Sequence, residues 1–406
     1  MQIRYYLTMM GFFTFANMLS SIFLGVFLWR LDSTYALLAT YSMVVAAVVL
    51  TSFPLCSWLS RITSPMTTLR LGIFAHVISY GITLYYGEAL RDHVIILGLW
   101  MGTAISLFAI GMHMAVLDMT KNADRDRFLY HSGFVTSLTT MTAPLLGGVC
   151  IENFEGMTGY LIIFGASCLL FLVAALLSLR IKGKPIGRQS KIMQVIKNPT
   201  REWKGMLAVM FGEGVVGGTY DTFLVSMMTF QIAGGEQNLG IFQTVSGVMA
   251  LIASLWLARV ATPERRLLIY GIGAVMVAFA SGVLSFYPTI AVLVVFSILH
   301  PLAKNMLTTS IGSWTYAAIE SDPDYDRRRL DYIVVREIPL GLGRIIGVLL
   351  FLWMRETFAQ ASLLTVSFTV FPLVFVLMIP ILIKIWKRHP AAQHQPTAPS
   401  QSTISS

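Results

Sequence analysis

Trp58-Leu59-Ser60-Arg61-Ile62-Thr63-Ser64-Pro65 returns 198 residues later as Trp256-Leu257-Ala258-Arg259-Val260-Ala261-Thr262-Pro263. Asp124-Arg125-Asp126-Arg127-Phe128-Leu129-Tyr130 returns 202 residues later as Asp326-Arg327-Arg328-Arg329-Leu330-Asp331-Tyr332. Both stretches are short basic connections between long apolar runs. Two matches at nearly one offset, each between such runs, mark an internal repeat half the length of the chain.

The apolar runs set the environment. The 406 residues are 56% hydrophobic and 12% charged, whereas a soluble chain carries about 25% charged residues. Twelve runs are long enough, at roughly 20 residues each, to cross a bilayer. They lie near 5–29, 34–58, 71–86, 94–117, 132–151, 158–180, 206–230, 240–260, 267–286, 289–318, 332–354 and 360–386. In hydrocarbon every backbone group must be paired inside its own segment, so such runs are helices. A barrel would show alternating polarity, and these runs are apolar all round. The expected fold is an all-α polytopic membrane protein: twelve transmembrane helices as two pseudo-symmetric six-helix bundles. Residues 1–180 form the first bundle, 181–205 a cytoplasmic linker and 206–386 the second bundle. Residues 387–406, rich in Pro, Gln, Ser and Thr, form a disordered tail. Within the linker, Ile192-Met193-Gln194-Val195-Ile196 reads as a short amphipathic helix.

The net charge of +9 points to a membrane surface rather than to nucleic acid. With the N-terminus inside, all but six of the 29 Lys and Arg fall in cytoplasmic segments. The six are Arg30, Arg91 and Arg355 in outer loops, and Lys304, Arg336 and Arg344 within spans. This positive-inside pattern places both termini in the cytoplasm and the protein in the cytoplasmic (inner or plasma) membrane. The first run has only Arg4 ahead of it and no small-residue cleavage site, so it reads as a retained helix. Cys56, Cys150 and Cys168 have no metal-type spacing. No metal or other cofactor is expected.

With six spans on either side of a basic linker, and basic 2–3 and 8–9 loops, the chain resembles the major facilitator superfamily over nearly its whole length. The family's 2–3 loop pattern is Gly-x-x-x-Asp-Arg-x-Gly-Arg-Arg. Here Arg61 is kept, while Cys56, Ser60 and Thr63 stand at the glycine and aspartate places. Arg259 is the matching arginine of the second half. The family's antiporter pattern in span 5, Gly-x-x-x-Gly-Pro-x-x-Gly-Gly, is followed more closely by Thr139, Ala143, Pro144, Gly147 and Gly148. Small residues allow close helix approach, and the proline removes a backbone donor. The resemblance implies export, and a central cavity lined by spans 1, 4, 7 and 10. It also implies contacts of the loop arginines with acids: Asp118 and Glu320, 202 residues apart, end spans 4 and 10 within reach of Arg61 or Arg259.

Ionisable groups within spans cost several kcal/mol unless paired or hydrated, so they mark function. The first half has few: Asn17 is polar, and His76 and His113 lie toward span ends. The second half has Glu213 and Asp221 in span 7, His300, Lys304 and Asn305 in span 10, and Arg336, Glu337 and Arg344 in span 11. Glu213 sits roughly 10–12 Å in from the start of span 7. His300 and Lys304, four apart, share a helix face. A Glu213–Lys304 pair is therefore expected, either coupling substrate to a proton or holding spans 7 and 10 together. Asp221 lies nearer the outer mouth. Arg336 and Glu337, in the first turns of span 11, read as gating residues, and Arg344 as a cation for a substrate or a partner for Glu337. Gly212-Glu213-Gly214-Val215-Val216-Gly217 has the Gly-x-Gly-x-x-Gly spacing, but no strand precedes it. Its reading is a flexible or broken piece of span 7.

The leading expectation is a secondary active transporter, a proton-coupled exporter (antiporter) of a small organic molecule, working as a monomer. Proton-coupled uptake, or movement of a lipid-like molecule between leaflets, is the second reading. A membrane enzyme or receptor is the third. An enzyme needs a nucleophile, a metal cluster or paired carboxylates at one interface, and no such grouping stands out. Primary transport lacks its nucleotide motif, Gly-x-x-x-x-Gly-Lys-Ser/Thr.

Overall fold

The structure, a computed structural model, describes residues 2–33, 35–119, 122–183 and 190–386, and the side chains within them except those of 116–132, 258, 263, 316, 320, 325, 326, 360, 361, 385 and 386. The expected tail, 387–406, lies outside the described residues. The first half consists of α1 (Gln2–Asp32), α2 (Tyr35–Ile62), α3 (Pro65–Tyr86), α4 (Leu90–Met119), α5 (Asn122–Glu152) and α6 (Thr158–Ser178). The linker contains α7 (Ile192–Lys197). Span 7 follows as α8 (Arg201–Val216), a π-helical segment (Gly217–Leu224) and α9 (Val225–Ala233). Spans 8 to 11 are α10 (Glu236–Val260), α11 (Arg266–Phe286), α12 (Ile290–Glu320) and α13 (Tyr325–Thr357). Span 12 is α14 (Gln360–Leu377) with α15 (Ile379–Trp386).

Among the described residues, nine stretches are long and apolar enough to cross a membrane, one of them covering both α3 and α4. Span 7, interrupted by its π-helical segment, and α13 are not among them, and both lie where the expected chemistry sits. With these two, the twelve-span all-α fold expected from the sequence is the fold observed. The basic repeat also has a structural role. Ser64 caps α3 by accepting a hydrogen bond from the Thr67 N–H at 3.1 Å, with Pro65 in the first turn. Its counterpart, Thr262-Pro263, opens a short 3₁₀ turn before α11.

The halves meet mainly along α2 with α13 and along α5 with α10. Small residues set how closely helices pack. A Cβ on Gly148 would collide with the backbone of Glu236 at 2.5 Å, and one on Gly240 with the Pro144 carbonyl. Span 7 meets α13 through interleaved glycines: Gly214 lies against the Leu340 carbonyl and Gly218 against that of Arg344. In return Gly343 lies against the Phe211 carbonyl and Gly347 against that of Val215. The glycine run of span 7 is thus first a packing surface. The break in regular winding begins only at Gly217, one turn later than the sequence suggests.

Candidate functional site

Three adjoining chambers lie between the halves. One, of about 420 Å³, is bordered by Glu213, Asp221, Lys304 and Arg344 from the second half and by Tyr41 and Ser42 from the first. A second, of about 350 Å³, shares Asp221 and Lys304 with it and adds His300, Asn305 and Gln243. A third, of about 400 Å³, is mainly first-half, with Asn17, His76, Tyr80 and Phe13. It shares Ser21 with the second chamber, and Tyr41, Ser42 and Thr222 with the first. The span-7 and span-10 residues singled out in the sequence, with Asn17 and Arg344, therefore all border one connected space.

Their pairing differs from expectation. Lys304 Nζ donates to Asp221 Oδ2 at 2.7 Å, not to Glu213. The cause is local. Thr222 Oγ1 donates to the Gly217 carbonyl five residues back, as π winding allows, and the wider turn changes the heading of Asp221 relative to Glu213. Lys304 also lies over the Phe375 ring, 4.7 Å from its centroid. Glu213, half-buried in the chamber wall, has no hydrogen bond or ion pair among the described residues. His300 stacks on Phe296 at 4.8 Å, and its Nε2 is buried without a hydrogen-bond partner among them.

On α13, Glu337 accepts from Arg336 at 2.9 Å on one oxygen and from Arg344 at 3.5 Å on the other. Arg336 also reaches His113 Nε2 of α4 at 3.3 Å. A guanidinium can only donate, so Nε2 of His113 is the acceptor in this contact.

The loop arginines do not behave as a pair. Arg61 is buried and donates to Asp331 Oδ1 at 2.7 Å, joining α2 to α13 across the halves. Ser190 Oγ and the Lys191 N–H also reach Asp331 Oδ1, each at 3.2 Å, so the linker docks on the same carboxylate. Arg259 is exposed and has no partner among the described residues. The side chains of Asp118 and Glu320, the expected partners, lie outside the described residues. Pro144, Gly147 and Gly148 line a seam. Gly147 packs on Phe23 of α1 and Gly148 on the start of α10.

Two contacts were missed in the sequence. Asp331 belongs to the second copy of the repeat. Its signal is a lone acid inside the apolar flank Leu330-Asp331-Tyr332-Ile333. At the opposite face from the linker, Glu236 Oε1 accepts from Arg30 and from the Tyr160 hydroxyl, each at 2.5 Å. Nearby, Gln231 donates to the Tyr35 hydroxyl at 2.9 Å. A single acid opening span 8 after two glycines was the available sign.

This architecture is a twelve-helix fold that the chain shares with solved membrane transporters. It superposes on a bacterial homologue of the iron transporter ferroportin with TM-score 0.68 at 11% identity, covering 95% of this chain and 98% of that one. The nucleoside transporter NupG gives TM-score 0.64 at 13% identity, covering 97% and 100%. The human organic anion transporter MFSD10 gives 0.63 at 13%, covering 94% and 100%. In sequence, the chain is similar to the uncharacterized protein YqgE of Bacillus subtilis (strain 168), 24% identical over 348 residues, 85% of this chain and 81% of that protein. It is also similar to an uncharacterized protein in the sodM 3′ region of Geobacillus stearothermophilus, 25% identical over 154 residues, 38% of this chain and 72% of that protein. No family model matches the chain.

Proposed function

We propose that the protein is a secondary active transporter of the cytoplasmic membrane that exports a small organic molecule in exchange for protons, with Glu213 as the proton-carrying group. The observation that carries this reading is Glu213 itself. It is a carboxylate in the wall of a cavity shared by both halves, with no hydrogen-bond or ion-pair partner among the described residues, two turns of helix before the Asp221 that pairs with Lys304. A permanent structural ion pair would leave no such group free. Alternating access then needs contacts that hold each face closed in turn. The Arg61–Asp331 pair at the linker face and the Arg30–Glu236–Tyr160 cluster at the other are suited to this, because each joins the two halves. The seam of Pro144, Gly147 and Gly148 against α1 and α10 supports the exporter assignment.

The test is flux of candidate compounds in inside-out vesicles and proteoliposomes, with and without an imposed pH gradient. Wild-type protein is expected to show gradient-driven flux. Glu213→Gln keeps the shape but exchanges no proton, and should lower that flux by at least about tenfold while ligand binding stays measurable. An unchanged pH dependence in Glu213→Gln would move the proton site to Asp221 or His300. Flux in the same direction as the protons would replace export by uptake.

A further inference from the structure

We infer that the ligand of this cavity is an organic zwitterion, an ammonium and a carboxylate carried on a small apolar body. The inference rests on the transport reading for the ligand's movement, but its charge pattern follows from the site alone.

The first observation is which charges are already matched. Asp221 and Lys304 satisfy one another at 2.7 Å. Glu213 has no such partner among the described residues and faces the same chamber. Arg344 shares the one carboxylate it meets among the described residues: Glu337 accepts from it at 3.5 Å and, more closely, from Arg336 at 2.9 Å. A guanidinium has five N–H donors in a fork that fits a carboxylate, so most of that fork is unused. The chamber therefore offers one unmatched anion and one under-matched cation.

The second observation is spacing. The Arg344 backbone lies against Gly218, little more than one turn beyond Glu213 along span 7. Gly217 stands between Glu213 and Asp221. A side-chain carbon there would meet only Asp221 Oδ2, at 4.0 Å. The notch between the two carboxylates is thus open for a ligand group.

The third observation is overall balance. Glu213, Asp221 and Glu337 face Lys304, Arg336 and Arg344, three carboxylates against three basic side chains. A guest with net charge would upset that balance, and a charge left uncompensated away from bulk water is costly. A guest with both charges leaves the balance intact and fills both vacant roles. The apolar body has a place in the adjoining chamber, where Phe13 stacks on Phe108 at 3.7 Å beside Phe223 and Tyr80. An ammonium on Glu213 also excludes a proton from it, which is the mutual exclusion an exchanger needs.

Three compounds of nearly one shape test the inference: L-phenylalanine, phenethylamine and 3-phenylpropionate. The first carries both charges, the others one each. Binding to purified full-length protein, read by scintillation proximity and thermal shift, should favour L-phenylalanine by at least about tenfold over either relative. Glu213→Gln should abolish its advantage over 3-phenylpropionate, and Arg344→Gln its advantage over phenethylamine. Equal or tighter wild-type binding of a singly charged compound, or no binding of any of the three, overturns the inference without any variant having to fold. Counterflow in proteoliposomes separates the two readings. Zwitterion-selective binding without counterflow keeps the site and sinks transport. Counterflow of phenethylamine alone keeps transport and sinks the zwitterion.

Discussion

Arg61 and Arg259 hold the same place in the two copies of the repeat, and the fold uses them oppositely. Arg61 has a side chain 3% exposed, fixed on an Asp331 that is wholly buried. Arg259 lies on the surface without a partner among the described residues. The equivalent seams, span 1 with span 5 and span 7 with span 11, differ in the same way. In the first half, Gly11 of α1 meets a side chain, Val135 of α5, at 3.2 Å. In the second half, span 7 and α13 meet glycine to backbone at four positions. The cavity wall follows suit, with Asn17, Ser42 and His76 on one side and Glu213, Asp221, Lys304 and Arg344 on the other. The repeat has kept span order and loop charge, while the ionic chemistry has gathered in the second copy. There the close backbone contact of span 7 with α13 fixes charged side chains at defined heights.

The sharpest break in this comparison is at the arginines. Arg61→Ala leaves Asp331 buried without its cation, a change that costs about 3–5 kcal/mol. Arg259→Ala removes a surface charge and should stay within about 0.5 kcal/mol. Thermal and denaturant unfolding in detergent measures both. Equally small losses would mean that both arginines are only topology signals. The exchange Arg61→Asp with Asp331→Arg should recover part of the loss if the pair itself matters.

Much of the fold was legible because hydrocarbon leaves a backbone few choices: runs of the right length become helices. The inventory of cavity residues was legible for the same reason, since a charge within a span needs a wet or paired setting. Pairing was not. Sequence spacing gives height along a helix but assumes regular winding to give heading. The π-helical turn at 217–224 changes that heading, so Lys304 meets Asp221 and not Glu213. The partner of Arg61 comes from 270 residues away, beyond the reach of any local pattern. The Glu236 cluster draws on three helices, and of its members only Arg30, as an outer-loop charge, stands out in the sequence.

The seams give an effect of intermediate size. A methyl group on Gly343 has the Phe211 carbonyl in its place, and backbone in two packed helices yields poorly. Gly343→Ala is expected to cost about 1–3 kcal/mol, as overpacking does. Gly11→Ala meets only Val135 Cγ1, a half-buried side chain that can turn aside, and should cost less than about 0.5 kcal/mol. Melting temperatures of the two variants compare the seams directly. A tolerated Gly343→Ala would show that span 7 and α13 can part, and that this seam is no more rigid than its equivalent between spans 1 and 5.

The smallest effect lies in the loop before α13, where the second copy has Asp322 and the first has Thr120. Burial works to raise the proton affinity of Asp322. Against it, the carboxylate accepts from the Asp324 N–H at 2.9 Å, from the Tyr332 hydroxyl at 2.8 Å and from Arg328 at 3.0 Å. The hydrogen bonds and the cation prevail and hold Asp322 below the usual carboxylate range. A group with a depressed folded value adds stability above its unfolded value, about 3.9 for aspartate, and loses it as pH falls through the folded value. Asp322→Asn keeps the shape and removes the charge. It should cost about 1 kcal/mol at pH 7, with the gap to wild type closing as the pH drops below about 4. Melting curves from pH 7 down to roughly pH 3.5 read this directly. A gap that stays constant or widens on acidification would mean that the loop is held by shape alone, and the second copy would lose one of the ionic contacts that set it apart from the first.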